Sequence, residues 1–474
     1  MKKIISLSIF IICIMINCSY AGIEVPETIR IGLYSGTRAV DSFKVSSKTG
    51  MEIGTINEKG EFDLIEEVKA NKEVSIEKGD DANSVYIDGI GEIGDDENFV
   101  RIIPKGRGCD LLINVSAINY RGEIESYNYR GEIEARRFST SDMTVINELP
   151  LQEYLYGVVP REIGGNSPIE AVKAQAIIAR TYAMKNYDKR SKWGFNLTNT
   201  VDDQAYGGYD WENPNSNGAV DETEGLYATY NGELIGGYYF STSGGYTESS
   251  ANVWGGEVDY LEAVPDPYEP QNLSKTTWSV TYSSEDIEKL LANKGVNIGK
   301  VLDVVVNDFS DAGRVLELEF VGSKDSYIAT KSQARTLLNL NSQWFTINDD
   351  EPEVPDYDYN DLINKRDEHK DNEEDEENGT KDDRNNDEIK PLLAKILNAI
   401  EEKNFLAFND DEVKIDVQYT ANKNKKSATI FEIKGRGWGH SVGMSQNGAI
   451  GMANNDFSCE EIIKWYYRGV EIEG

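Results

Sequence analysis

Apolar positions between Ile29 and Asn147 come in short runs, broken repeatedly by Gly, Asp and Asn. Ile29–Tyr34, Phe43–Val45, Ser84–Ile87 and Leu111–Val115 have the length and the β-branched or aromatic content of strands. The heptapeptide Asn119-Tyr120-Arg121-Gly122-Glu123-Ile124-Glu125 recurs nine residues on, starting at Asn128. That period is too short for a repeat architecture and predicts two adjacent hairpin arms sharing a Tyr-Arg-Gly turn. The pattern then changes period. After a short helical turn over Leu151–Tyr156, Ser167-Pro168-Ile169-Glu170 reads as a capping box with proline in the first turn. Ile169, Val172, Ala176, Ala179 and Ala183 follow at spacings of three and four, predicting a helix from Pro168 to about Lys185. Ala171, Ala174, Ala176 and Ala179 on it let other elements approach closely. Beyond Thr200 come strand-like runs (Leu226–Tyr230, Leu234–Phe240), a helix over Glu285–Asn293 and a hairpin over Val301–Val306 and Val315–Val321. An amphipathic helix over Ile389–Lys403 and two strands within Val413–Ile433 close the series. The predicted fold class is α+β, mostly β with a few helices, with a catalytic region built around the one Ala-rich buried helix.

Length and charge divide this pattern into regions. A chain of 474 residues is roughly two or three domains' worth. Lys2 and Lys3, the apolar run Ile4–Ile16 and Ser19-Tyr20-Ala21 make residues 1–21 a secretory signal, either cleaved or kept as an anchor. Residues 22–147 form a β-rich region, and 148–350 the first part of a catalytic region. Residues 351–390 form an acidic insertion with 17 acidic and 6 basic residues, expected to be disordered, and 391–474 the closing part. The overall net charge of −35 excludes nucleic acid as a partner, because phosphate binding needs a basic surface. Loss of the signal leaves Cys109 and Cys459, which either pair or remain separate thiols and form no metal motif.

Three stretches carry candidate chemistry. In Leu149–Ile163, Glu162 lies on a loop just ahead of the predicted helix, flanked by Val159 and Ile163, with Gly164-Gly165 freeing the backbone. Such a carboxyl is either a solvated loop glutamate or a partly desolvated one kept protonated near neutral pH, with Arg161 opposing the latter if it points inward. In Tyr239–Glu248, the Ser241-Thr242-Ser243-Gly244-Gly245 run ends a strand in small hydroxyl residues and glycines whose N–H groups suit a polyol or an amide. In Gly435–Gln446, glycines surround Trp438 and His440, and His440 is either a buried core histidine or a site residue. No zinc-protease, Cys-x-x-Cys, Gly-x-Ser-x-Gly or phosphate-loop motif is present.

These stretches resemble a known family, the stage II sporulation protein D/LytB family of bacterial cell-wall proteins. Ile29-Arg30-Ile31-Gly32-Leu33 is similar to its opening strand, and Leu149-Pro150-Leu151 through Gly157-Val158-Val159-Pro160-Arg161-Glu162 to its most specific motif. Glu170–Ala176 with Ala179–Ala183, the Ser241–Gly245 run, Trp254-Gly255-Gly256, Gly437–His440 with Gly443–Gln446, and Tyr466-Tyr467 follow in family order. The resemblance implies a lytic transglycosylase that cuts peptidoglycan between N-acetylmuramic acid and N-acetylglucosamine, with Glu162 as catalytic acid and then base. It further implies a substrate-binding set of Arg161, Gln175, Arg180, Gln204, Tyr206, Ser241, Ser243, Gly244, Gly245, His440 and Gln446. The implied location is extracytoplasmic, and the implied partners are glycan strands and other wall hydrolases such as an amidase. No cofactor is expected. Some sporulation relatives carry a Cys/His metal site before the Gln-x-Tyr-x-Gly turn. Here Val201–Gly208 holds neither Cys nor His, so no zinc is expected. The LytB side of the family supplies the competing expectation, a non-catalytic wall-binding amidase enhancer.

Overall fold

The computed structural model describes residues 26–57, 60–93, 99–106, 111–137, 143–270, 276–349 and 430–474. The signal, Cys109 and with it any pairing to Cys459, the acidic insertion, the helix expected over Ile389–Lys403 and the strand positions before 430 lie outside these residues.

The short apolar runs form two antiparallel-rich sheets. One has seven strands in the order Leu197–Thr198, Thr28–Tyr34, Thr144–Pro150, Glu132–Arg136, Phe99–Pro104, Met51–Ile56 and Phe62–Val68. The other has six: Ile124–Tyr129, Ile113–Ile118, Ser42–Ser46, Val74–Lys78, Val85–Ile87 and Gly91–Ile93. Alternating residues of both, such as Phe43, Val45, Ile53, Ile76 and Ile102, enter one core that continues without a break into the helices beyond residue 150. The fold is α+β and predominantly β, with helices concentrated around the site. The nine-residue repeat is used twice in different ways. Its first copy makes the hairpin turn between Ile113–Ile118 and Ile124–Tyr129, where the Asn119 side chain accepts the N–H groups of Arg121 and Glu123. The second Tyr-Arg-Gly is a corner at which the chain leaves the six-stranded sheet for the seven-stranded one, so the two copies are not arms of one sheet.

The Ala-rich helix spans Ile169–Lys185 and is buried from Ala171 to Ala183 except at Lys173. Its alanines admit the helices Leu151–Val159, Pro214–Glu222, Gln446–Ala453 and Cys459–Tyr466, all of which contact it. The expected capping box is absent. Pro168 takes the N-cap position without a side-chain cap, and the Ser167 hydroxyl donates instead to the Ile163 carbonyl (2.7 Å), closing the preceding turn. Glu170 accepts the backbone N–H of Cys459 (2.8 Å), tying the start of the helix to that of another.

Residues 277–347 and 430–436 build a second core from Ile287, Leu318, Phe320, Phe345, Phe431 and others, between two three-stranded sheets. Ile430–Arg436 is the central strand of one of them, between Thr277–Ser283 and Trp344–Ile347. The chain therefore re-enters this unit before reaching the glycine-rich stretch that returns to the site. The helix and hairpin expected here are Ser284–Ala292, which carries a true capping box, and the antiparallel pair Val301–Phe309 with Val315–Gly322. No described helix is long and apolar enough to cross a membrane.

Candidate active site

Glu162 lies on a widened helical turn. The helix Leu151–Val159 runs directly into a π-helical turn over Pro160–Gly164, so Glu162 extends a helix, contrary to its expected place on a loop. Pro160 has no N–H to donate back along the helix, and the ladder opens there. π-turns inside helices recur at functional sites, where they re-aim one side chain. Gly164 ends the turn at φ +87°, a left-handed conformation that strains any residue with a Cβ.

The Glu162 carboxylate is held from two sides. One oxygen accepts the Ala205 backbone N–H (2.8 Å) and the other the Gln446 side-chain amide (3.4 Å). Burial pushes its pKa above the ordinary carboxylate value, while those two donors, the Tyr239 side chain and the charge of Arg161 pull it back. The result is a carboxyl whose neutral form burial favours and whose ionised form already has donors in place. Gln446 also donates to Gln175 Oε1 (3.3 Å) from the Ala-rich helix. Gln175 is fully buried, and among the described residues its own amide nitrogen has no hydrogen-bond partner. Gln204 donates to Ala179 O (3.2 Å) and to the Tyr239 hydroxyl (3.1 Å), which fixes the loop whose next residue, Ala205, holds Glu162. Tyr206 packs its ring 5.0 Å from that of Tyr154 and donates to Asn147 (2.8 Å), bracing the same loop against the seven-stranded sheet.

Glu162, Gln175, Gln204, Tyr206 and Gln446 thus form one connected group, although Gln446 lies 284 residues from Glu162. The parallel pairing of Tyr239–Phe240 with Met444–Ser445 closes that distance. It requires glycines. At Gly443, φ is +78° and a Cβ would fall 2.1 Å from the Tyr238 carbonyl oxygen, so only glycine lets the two backbones lie side by side.

The remaining expected residues are placed differently. Arg161 is exposed, with its guanidinium 4.6 Å over the Trp211 ring. Arg180 is buried on the far side of its helix, donating to the carbonyls of Leu226 and Val220 (both 3.2 Å), and does not face Glu162. The Ser241–Gly245 run does not offer its amides to a ligand. The N–H groups of Ser243 (2.5 Å) and Gly244 (2.8 Å) and the Ser243 hydroxyl (3.0 Å) are all taken by the buried carboxylate of Glu269, and the Gly245 N–H goes to Ser243 Oγ. The Ser241 carbonyl accepts from the backbone and side chain of Asn447. His440 sits among the rings of Trp254, Phe240 and Tyr238, its Nδ1 accepting the Val442 N–H (3.1 Å). Burial, reinforced by the charge of Arg335, lowers its pKa to about 4, so it is a neutral imidazole. Ser441 beside it is buried at φ +68°, a strained conformation for serine.

Tyr239, the Ala205 amide and the Asp266–Glu269 pair were not singled out from the sequence. Tyr239 begins the short strand Tyr239–Phe240 just before the serine-rich run, and that position is its only signal. A backbone amide has none. Asp266 and Glu269 are two carboxyls three residues apart, a spacing without a motif, yet both are buried. The Glu269 carboxylate also accepts the Ser445 hydroxyl (3.0 Å), and that hydroxyl in turn accepts the Gly448 N–H (3.1 Å) at the N-cap of Gln446–Ala453.

The SpoIID family, described as Stage II sporulation protein, matches residues 139–230, the segment that supplies Glu162, Gln175 and the Gln204–Tyr206 loop. This match and the relatives that follow support the resemblance to the SpoIID/LytB family. Among its relatives, an uncharacterized protein of Brachyspira hyodysenteriae is 29% identical over 331 residues, 70% of this chain and 68% of that one. The amidase enhancer of Bacillus subtilis is 28% identical over 325 residues, 67% of this chain but only 40% of the longer relative. Stage II sporulation protein D of the same organism is 23% identical over 350 residues, covering 71% of this chain and 77% of that protein.

Proposed function

We propose that this protein is a member of the SpoIID/LytB family and acts on the bacterial cell wall outside the cytoplasm, as a lytic transglycosylase of peptidoglycan. The observation that carries the reading is the setting of Glu162: a carboxyl raised by burial whose partners are an amide N–H, a glutamine and a tyrosine, with no carboxylate among them. Hydrolytic glycosidases work with two carboxyl groups. A single Glu suffices when the nucleophile belongs to the substrate. Protonated Glu162 gives its proton to the glycosidic oxygen leaving C1 of N-acetylmuramic acid. The carboxylate so formed, held by Ala205 and Gln446, then takes the proton of the C6 hydroxyl, whose oxygen bonds to C1 and closes a 1,6-anhydro ring. The carboxyl returns to its starting state and water takes no part. Gln175, Gln204 and Tyr206 hold this arrangement in place. Arg161 and the exposed edges of Trp211 and Trp438 offer surface to the sugars.

A second reading has one specific observation behind it, the similarity to the amidase enhancer. On that reading the groove binds glycan without cutting it and assists another wall hydrolase. Incubation of the purified protein with peptidoglycan, followed by mass spectrometry, separates the two. Anhydromuramic ends that vanish in Glu162→Gln support cleavage. Intact wall, bound equally by wild type and Glu162→Gln, supports the enhancer. Reducing ends without anhydro sugars would refute the single-carboxyl mechanism.

A further inference from the structure

A cleft of about 460 Å³ lies beside the Glu162 turn, reached through Arg161 and through Ala205, whose N–H Glu162 accepts, and is walled by Tyr120, Tyr127 and Tyr129 on one side and by Asn199–Asp202 and Ala205–Gly207 on the other. Three arginines, Arg38, Arg121 and Arg161, line it. They differ from most arginines of the chain. Arg30, Arg101, Arg130, Arg136, Arg190 and Arg468 are each paired with carboxylates, as expected where acids outnumber bases 83 to 48. Among the described residues the cleft arginines make no ion pair and have neutral partners. Arg38 donates to Asn199 Oδ1 (3.1 Å), Arg121 donates to the Tyr120 hydroxyl (2.9 Å) and lies over its ring, and Arg161 stacks on Trp211.

The cleft also contains Glu123, Glu125 and Asp202, and these too are held by neutral groups. Glu125 accepts from Tyr34 (3.2 Å) and Asn119 (2.9 Å), Glu123 from Asn119 (3.2 Å), and Asp202 from Thr200 (3.3 Å). Three guanidiniums and three carboxylates sharing one cleft would ordinarily pair. Holding the acids on neutral donors leaves most of the five N–H donors of each arginine open to an incoming anion. The volume lies within the range of small-molecule sites, large enough for a substituent beyond one sugar ring.

We infer that this cleft is a carboxylate-binding subsite that holds the acidic substituent of the muramic residue while Glu162 faces the glycosidic bond. The inference rests on the glycan-binding reading above and not on cleavage. The carboxylate has two sources on such a strand, the lactyl ether itself once its peptide is gone, or the peptide that caps it.

The test is binding, measured in the Glu162→Gln background so that no strand is cut. Soluble glycan strands are prepared in two forms, peptide-free and peptide-bearing, each with carboxylates either free or converted to methylamides. Blocking the carboxylates is expected to weaken binding of at least one form by about tenfold, the worth of one charge-assisted hydrogen bond. The form affected identifies the source. Arg38→Gln combined with Arg121→Gln should lose a similar factor on the free-carboxylate strands and nothing on the blocked ones. Arg121→Gln alone, at an exposed position, serves if the double variant does not fold. Equal binding of free and blocked strands in both forms, or an equal loss by the variants on both, would overturn the proposal. Carboxylate-dependent binding by a protein whose Glu162 form yields no anhydro sugars would retain the subsite and refute only the catalytic reading.

Discussion

Replacing Glu269 tests the support beneath the site, because its carboxylate gathers donors from both chain segments that meet there. Oε2 accepts the Ser243 N–H and the hydroxyls of Ser243 and Ser445, and Oε1 accepts the Gly244 N–H. In Glu269→Ala the two backbone N–H groups remain buried without an acceptor, each at about 1–3 kcal/mol, for a total near 3–5 kcal/mol. Glu269→Gln can keep an oxygen at the three-donor position and turn its NH2 toward Gly244 alone, losing one bond, or about 1–3 kcal/mol. The expected order is therefore wild type, then Gln, then Ala, with steps of roughly 2 kcal/mol. Urea unfolding of the three proteins near neutral pH measures it. A second readout follows the Ser445 hydroxyl, which links Glu269 to the helix that begins at Gln446. Loosening that link should lower the yield of anhydro products in both variants, under conditions where both remain folded. Equal costs for Gln and Ala, or costs below about 1 kcal/mol for both, would refute the assignment of Glu269 as a buried acceptor hub.

Burial, and then the charge of Glu269, raises the Asp266 carboxyl from 3.8 to about 7. The folded state therefore binds this proton more tightly than the unfolded chain, and its stabilising contribution is lost as pH rises toward the folded pKa. Asp266→Asn keeps an acceptor for Tyr466 and should gain about 1–3 kcal/mol on wild type between roughly pH 5 and pH 8, read from urea unfolding at both. Gln446→Ala removes a donor that favours ionised Glu162, so the alkaline limb of the pH profile of anhydro-product formation should move to higher pH; a shift to lower pH would contradict the geometry. Gly164→Ala forces a Cβ into a left-handed turn and should cost about 1–2 kcal/mol in thermal unfolding, with a larger fall in activity because Glu162 moves with the turn.

Much of this architecture is readable before folding is considered. Alternation marks the strands of the N-terminal sheets, and three-four spacing with alanine marks the helix Ile169–Lys185, because both signals come from periodic burial. The cap of that helix departs from the sequence pattern because the Ser167 hydroxyl, in place of accepting an N–H of the first helical turn, donates to the Ile163 carbonyl in the π-turn. Glu162 stands out through its proline and glycine neighbours. The glycines of Gly435–Gly443 signal a close approach, but not to which segment. Nothing local announces that the approached segment is Tyr238–Ser243, and the Ser-Gly-Gly run looks like a ligand loop until Glu269 is found beneath it. Arg180 reads as a site residue because it shares a motif with Gln175. Five positions along a helix turn its side chain well away from Gln175 on the helix surface, and only packing decides which of the two faces Glu162.

The pairing of Tyr239–Phe240 with Met444–Ser445 also sets an order in time. A growing chain acquires Glu162 early, and its helix and loop can form while synthesis continues. The second grip on that carboxylate cannot exist until Gln446 has been made, after the chain has passed through a separately cored unit and come back. A chain ending before this late strand would hold the Glu162 carboxylate by the Ala205 amide without Gln446. The connectivity therefore makes the completed setting of Glu162 depend on the returning strand.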